Sequence, residues 1–298
     1  MANQASQQYL LGYGLAVLAA LGFSTKAILV KLAFYEPVDA ITLLALRMLF
    51  SAPFFVFMAI RHAGQPQLRP LSVQDKRAVL VLGLLGYYLS SLLDFMGLQY
   101  ISAGLERLIL FLYPTLVVVI SAVWLKKPFG IKQLIAVLLS YAGITVVFSD
   151  EVQFAVDNLW LGAGLVFAST LSYAAYLIGT GEVVARIGAS RFTAYAMLVA
   201  TAATLIQFLL THSPQALVLS GRVYQLSAIM AIVSTVLPVF MLSASIRLIG
   251  SGHASLIGSI GPVCTLFLAA IFLGEQLSGQ QLIGAGLVML GVLSLSLR

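Results

Sequence analysis

The stretch Gly104–Gly143, GLERLILFLYPTLVVVISAVWLKKPFGIKQLIAVLLSYAG, returns as Gly252–Gly291, GHASLIGSIGPVCTLFLAAIFLGEQLSGQQLIGAGLVMLG, at a constant offset of 148 and without a gap. Leu108-Ile109 becomes Leu256-Ile257, Pro114 becomes Pro262, and Gln133-Leu134-Ile135 becomes Gln281-Leu282-Ile283. Each copy holds two long apolar runs, so the repeated unit is a membrane segment. Duplication within an apolar chain is a common way to build a transporter. A fainter match opens each half, where Gly12-Tyr13-Gly14-Leu15 corresponds to Gly162-Ala163-Gly164-Leu165 at an offset of 150.

Composition agrees. Hydrophobic residues make up 61% of the 298 positions and charged residues 9%, against roughly 25% charged in a soluble domain. Ten apolar runs are expected to cross as helices, near 9–32, 38–60, 77–98, 103–125, 131–148, 159–180, 192–211, 223–247, 252–273 and 281–297. The prediction is an all-α integral membrane protein with repeats over 1–150 and 151–298 around a central cavity. Five helices per half is an odd number, which inverts the second repeat relative to the first. The turn charges agree: Lys126, Lys127 and Lys132 map onto Gly274, Glu275 and Gln280.

Charge by loop gives the orientation. Arg61, Arg69, Lys76, Arg77, Arg186, Arg191 and Arg247 fall on one set of connections. The opposite set carries Lys31 and Arg222 with Glu36, Asp39, Asp150, Glu151, Asp157 and Glu275. The positive-inside rule then makes both termini cytoplasmic. The net charge of +6 is read this way, not as a sign of nucleic-acid binding. Small-residue stripes, Gly12/Ala16/Ala20, Gly164/Ala168/Ser172 and Ala254/Gly258, are expected at helix contacts.

The catalytic inventory is poor. His62, His212 and His253 form no His-Glu-x-x-His pair, and Walker A and Gly-x-Ser-x-Gly motifs are missing. The lone cysteine, Cys264, allows no internal disulfide. We expect no cofactor, no metal and no enzymatic role.

Five ionisable residues lie at membrane depth: Lys26, Arg47, Asp94, Glu106 and Arg107. A charge there costs at least about 2.5–3.5 kcal/mol, so each is expected to be paired or functional. If Asp94 and Glu106 each neutralise one cation, one positive charge is left for a substrate carboxylate. Tyr87, Tyr88, Tyr113 and Tyr173, with Ser91 and Ser259, are expected to line an amphipathic cavity, and Lys26 or Ser255 to meet a zwitterion. Tyr176 also sits well inside its run. Arg47, Asp94, Glu106 and Arg107 are read as structural or gating groups, and Pro114, Pro238 and Pro262 as points where helices bend.

Three features together resemble the drug/metabolite transporter superfamily, in its ten-helix EamA branch. They are the duplicated unit, the closing stretch PVCTLFLAAIFLGEQLSGQQLIGAGLVMLGV (Pro262–Val292) with its Leu-Gly-Glu turn, and Ala45-Leu46-Arg47. In the first copy Lys126-Lys127-Pro128 stands where the family has Gly-Glu-Gln, a departure at the turn between runs 4 and 5. The resemblance implies a basket of inverted repeats with helices 5 and 10 at the periphery, in a bacterial inner membrane. Among such proteins the chain is most similar to exporters of amino acids. It implies alternating-access export of amino acids, favouring aromatic and hydrophobic ones, with membrane lipids as the other partner. Export of drugs or other small metabolites is the alternative reading; a membrane-embedded enzyme or lipid scramblase is a remote one.

Overall fold

Long runs of Leu, Ala, Val and Ile satisfy their own backbone hydrogen bonds as helices, the form available to a continuous segment in hydrocarbon. The computed structural model describes the backbone of residues 2–63, 69–126, 128–153 and 158–296. No strand occurs among them. Among the described residues, nine helices are long and apolar enough to cross a membrane: α1 Gln8–Ala33, α2 Ala40–Ala63, α3 Val73–Gly97, α4 Ala103–Trp124, α5 Ile131–Ser149, α6 Leu159–Ile187, α7 Ala189–Thr211, α8 Gly221–Gly250 and α9 Leu256–Leu273. A shorter apolar helix, α10 Gly279–Leu295, closes the chain.

The sixth run is expected to end near residue 180, but α6 continues to Ile187. Its last turns are amphipathic: Val183 and Ile187 are buried, and Arg186 reaches back to Asp75 on α3 at 3.0 Å. Gly188, at φ 86°, then allows a one-residue connection into α7.

Four helices are interrupted, in corresponding pairs. In α3 the backbone passes through a π-helical turn at Leu84–Leu89, and in α8 through another at Ile232–Val236. In α4 regular helix stops at Leu110 and resumes at Tyr113, with Pro114 in the first turn of the new segment. In α9 it resumes at Gly261, with Pro262 in the same place. The expected bends at Pro114 and Pro262 are therefore breaks. Proline is tolerated there because the first turn of a helix has no carbonyl for its nitrogen to miss. Pro238 follows the α8 π-turn, and a Cβ on Gly22 of α1 would meet its ring at 2.5 Å.

Close approaches hold the helices together, as expected in lipid. Ala16 and Ala20 are buried, and a Cβ on Gly12 would strike Ile249 at 2.5 Å. The Gly164 stripe makes the expected contact at Ser172, which is buried and donates to Leu85 O of α3 at 2.8 Å, but not at Gly164, where a Cβ meets open space. Gly162 makes the close approach instead: a Cβ there would lie 2.7 Å from Ile101 and from Tyr100 and 3.1 Å from the carbonyl oxygen of Gly97. The helix is rotated from the expected face so that Val166 and Ser169 are buried toward α3. Helices α5 and α10 pack chiefly against each other through Gly143 and Gly284 and touch the remaining helices sparsely. The two largest apolar clusters lie around Phe55, Phe95 and Leu98 and around Leu105, Leu108 and Val288.

Candidate transport site

Lys26, in the last third of α1, brings two helices together. Its Nζ donates to Asp94 Oδ2 at 2.5 Å and to Glu106 Oε1 at 2.9 Å. Asp94 and Glu106 are 2% and 0% exposed, so both carboxylates are buried, while the Lys26 side chain is 15% exposed. The charge count at depth is as the sequence states, but its allocation differs. Both carboxylates take the same ammonium, and neither arginine forms an ion pair among the described residues. Arg47 is accommodated otherwise, with Nε donating to Thr235 Oγ1 in the α8 π-turn at 3.0 Å and Cζ 5.4 Å from the Phe95 ring centre.

The internal tyrosines form a continuous run of rings. Tyr87 meets Tyr176 edge-on at 5.3 Å, Tyr176 stacks on Tyr173 at 5.4 Å, and Tyr173 meets Tyr113 edge-on at 5.5 Å. Such pairs contribute about 0.5–1.5 kcal/mol each beyond their buried area. The Tyr176 hydroxyl donates to that of Tyr87 at 3.1 Å. Tyr176, left out of the predicted wall, lies at its centre; its spacing of three from Tyr173 on one helix was the available signal. Gly86 makes room for it, since a Cβ there would lie 2.2 Å from the Tyr176 ring.

Tyr88 stands apart from this run. Its hydroxyl donates to Gln207 of α7 at 3.1 Å, because adjacent residues on a helix point about 100° apart. Ser91 is half-buried on α3. Ser259 donates to Leu256 O within its own helix at 2.6 Å, at the α9 break. The side chain of Ser255 lies outside the described residues, as does all of Lys127.

Polar clusters close the two ends of the bundle. At one end Asp75 caps α3 through Ser72 and receives Arg69 at 3.3 Å and Arg186 at 3.0 Å. Arg191 donates to Arg69 O at 2.7 Å. At the other end the turn 98–104 is held from three sides. Lys31 donates to the carbonyls of Leu98 and Ile101 at 3.3 and 3.0 Å. Glu275, from the α9–α10 turn, accepts from the amides of Ala103 and Gly104 at 2.9 and 3.3 Å. Glu151, just beyond the apolar span of α5, accepts from Ser102 Oγ.

Burial pushes the Glu151 carboxyl up to about 7, with Glu275 adding to the rise while Ser102 and Lys31 oppose it. Its folded value lies above the ordinary 4.5. The stability it contributes is therefore complete below the ordinary value and is lost as pH rises through about 7. Thermal unfolding measured from pH 5 to 8 is expected to show this decline (window set by the carboxylate's ordinary and shifted range, roughly). Glu151→Gln should flatten the decline; an unchanged slope would remove Glu151 as its source.

With this geometry in place, comparison with known proteins is informative. The model of the EamA-like transporter family matches residues 10–149 and again 160–297. The chain belongs to the EamA family. It is 31% identical over 261 residues, 85% of this chain and 82% of the relative, to the uncharacterized transporter YcbK of Bacillus subtilis (strain 168). Two further uncharacterized transporters of that strain, YyaM and YvbV, are 25% and 26% identical over 64% and 70% of the chain and 63% and 68% of their own lengths. A solved structure titled "Crystal structure of protein" superposes with a TM-score of 0.65 at 18% identity, covering 97% of this chain and 96% of the other. That likeness concerns the fold alone. The chain is thus a multi-pass membrane protein of a transporter family, and the EamA relatives are named as transporters rather than enzymes.

Proposed function

We propose that this EamA protein exports amino acids by alternating access, favouring aromatic and hydrophobic ones, much as the exporter YddG that the sequence resembles. The observation that carries this reading is the run of rings Tyr87–Tyr176–Tyr173–Tyr113, spanning α3, α6 and α4 in mid-bundle. An amphipathic wall with few polar groups suits a ligand with an apolar side chain and a polar backbone. The substrate would lie between α1, α3, α4, α6, α8 and α9, near the midplane. The broken helices α4 and α9 border that space, as in carriers built from discontinuous helices. Ten crossings arranged as two inverted five-helix repeats, 1–150 and 151–298, complete the proposed architecture.

Counterflow of labelled phenylalanine in liposomes tests the reading. Unlabelled phenylalanine and leucine inside the vesicles should drive uptake. Competition by organic cations, with no effect of amino acids, would favour the drug-exporter alternative. Tyr173→Ala is expected to weaken aromatic substrates several-fold more than alanine, since one aromatic contact is worth about 1 kcal/mol. Tyr88→Ala should discriminate less, because that ring faces Gln207. Equal effects on aromatic and small substrates would remove the tyrosine run as the side-chain wall.

The orientation proposed is a bacterial inner membrane with both termini cytoplasmic. It is supported by the arginine-rich end around Asp75 and by the acidic groups Glu36, Glu151 and Glu275 at the opposite end. In a Cys264→Ser background, a cysteine replacing Val218 should label from outside intact cells, and one replacing Ala189 should not. The reverse pattern would overturn the topology.

A further inference from the structure

Arg107 is the deep cation for which the described residues supply no polar partner. Lys26 is taken by two carboxylates, and Arg47, whose Nη1 also makes no hydrogen bond among the described residues, has Thr235 and the Phe95 ring. Arg107 lies in the last turn of the first segment of α4 and is half-buried. Its Nε is shut off from solvent and makes no hydrogen bond among the described residues. No carboxylate lies within ion-pair distance of its guanidinium among them. An ionisable group at membrane depth that lacks a partner is a functional-site candidate by default.

The guanidinium is aimed at a specific place. A Cβ on Gly261 would lie 2.7 Å from Nη2, 3.5 Å from Nε and 3.6 Å from Cζ, so the planar head rests on the bare backbone where α9 resumes. Tyr113 and Tyr173, two rings of the run described above, and Cys264 lie within reach of its charge. The segments starting at Tyr113 and Gly261 have no side-chain cap. Their positive ends add to the guanidinium field. The second repeat has Ser255 at the equivalent position, so the cation is not duplicated.

We propose that Arg107 binds the carboxylate of the transported molecule beside Gly261, with Tyr113 and Tyr173 along its apolar body. A planar guanidinium matches a carboxylate through two parallel hydrogen bonds, which a lysine cannot reproduce. The cargo class is accordingly a carboxylate on an aromatic or aliphatic frame, and not an organic cation. This assignment deepens the amino-acid reading and rests on it for the amine half of the ligand alone.

The test is binding of three probes to purified full-length protein, read as ligand-induced thermal stabilisation. The probes are L-phenylalanine, 3-phenylpropionate, which lacks the amine, and 2-phenylethylamine, which lacks the carboxylate. Wild type should bind both carboxylates about tenfold or more tightly than the amine, the effect of one charged hydrogen-bonded contact. Arg107→Gln should remove that preference, and Arg107→Lys should restore part of it. Gly261→Ala gives a second route, because its methyl displaces the guanidinium while keeping the charge and should also weaken both carboxylates. Equal binding of 3-phenylpropionate and 2-phenylethylamine by wild type overturns the proposal. So does carboxylate binding that neither Arg107→Gln nor Gly261→Ala changes, even if phenylalanine counterflow persists and the exporter reading survives. Arg107-dependent binding of 3-phenylpropionate without any amino-acid counterflow supports the carboxylate site and refutes the amino-acid reading.

Discussion

Lys26→Met is expected to destabilise the protein by about 3–5 kcal/mol, the usual cost of stripping one partner from a buried ion pair. The methionine fills a similar volume, so the loss is electrostatic rather than a cavity. It leaves Asp94 and Glu106, 2% and 0% exposed, with no cation within 4 Å among the described residues. Asp94 Oδ1 and Glu106 Oε2 have no hydrogen-bond partner there even in the intact triad, so nothing stands ready to compensate. Removing all three charges, with Lys26→Met, Asp94→Asn and Glu106→Gln together, should recover most of the loss, since a buried pair is often close to neutral overall. Thermal unfolding in detergent measures both variants. A single variant as stable as wild type would show that the triad does not form. A triple variant no better than the single would show that the loss lies in packing.

Gly143→Val is expected to separate α5 from α10, at a cost of about 1–3 kcal/mol or more from overpacking. The two backbones touch: a Cβ on Gly143 would meet the Gly284 carbonyl oxygen at 2.5 Å, and one on Gly284 the Gly143 oxygen at 2.6 Å. Backbone atoms cannot swing aside as a side-chain tip can, so the helices themselves must move. Gly286→Val, two residues along α10, is the control, because a Cβ there meets nothing within 4 Å. Unfolding temperatures should drop for Gly143→Val and stay near wild type for Gly286→Val. Similar values for the two would mean that α5 and α10 do not pack through this glycine contact. Because these helices touch the others sparsely, the rest of the bundle should hold together.

Much of the arrangement follows from residue order. Apolar runs of sufficient length become helices wherever they occur, because hydrocarbon offers the backbone no other partner. Pro114 and Pro262 mark the places where α4 and α9 resume, since proline is cheap only in a first turn. The same offset that relates these prolines relates the starts of the π-turns, Leu84 and Ile232, although Gly83 and Gly86 at the first and Pro238 after the second have no counterparts at that offset. A π-turn arises where packing forces one extra residue into a turn, and packing is a property of the neighbours. Tyr87 and Tyr88 both lie well inside one run, yet their hydroxyls bond to different helices, α6 and α7. Gly164 heads a stripe of small residues, yet Gly162 makes the close approach.

The sequence by itself determined a duplicated apolar chain of membrane helices, the five deep charges, the prolines that mark where α4 and α9 depart from a straight course, and the family. These depend on hydropathy, spacing and backbone chemistry, which are local. Only the tertiary structure decided which charges meet. Asp94 and Glu106 lie 68 and 80 positions from Lys26, and both converge on its one ammonium. Arg107, adjacent to Glu106 in the chain, is turned by the helix toward Gly261 instead. Coulomb energy at depth depends on distances of a few ångströms between helices far apart in sequence, so the allocation of partners is fixed by packing.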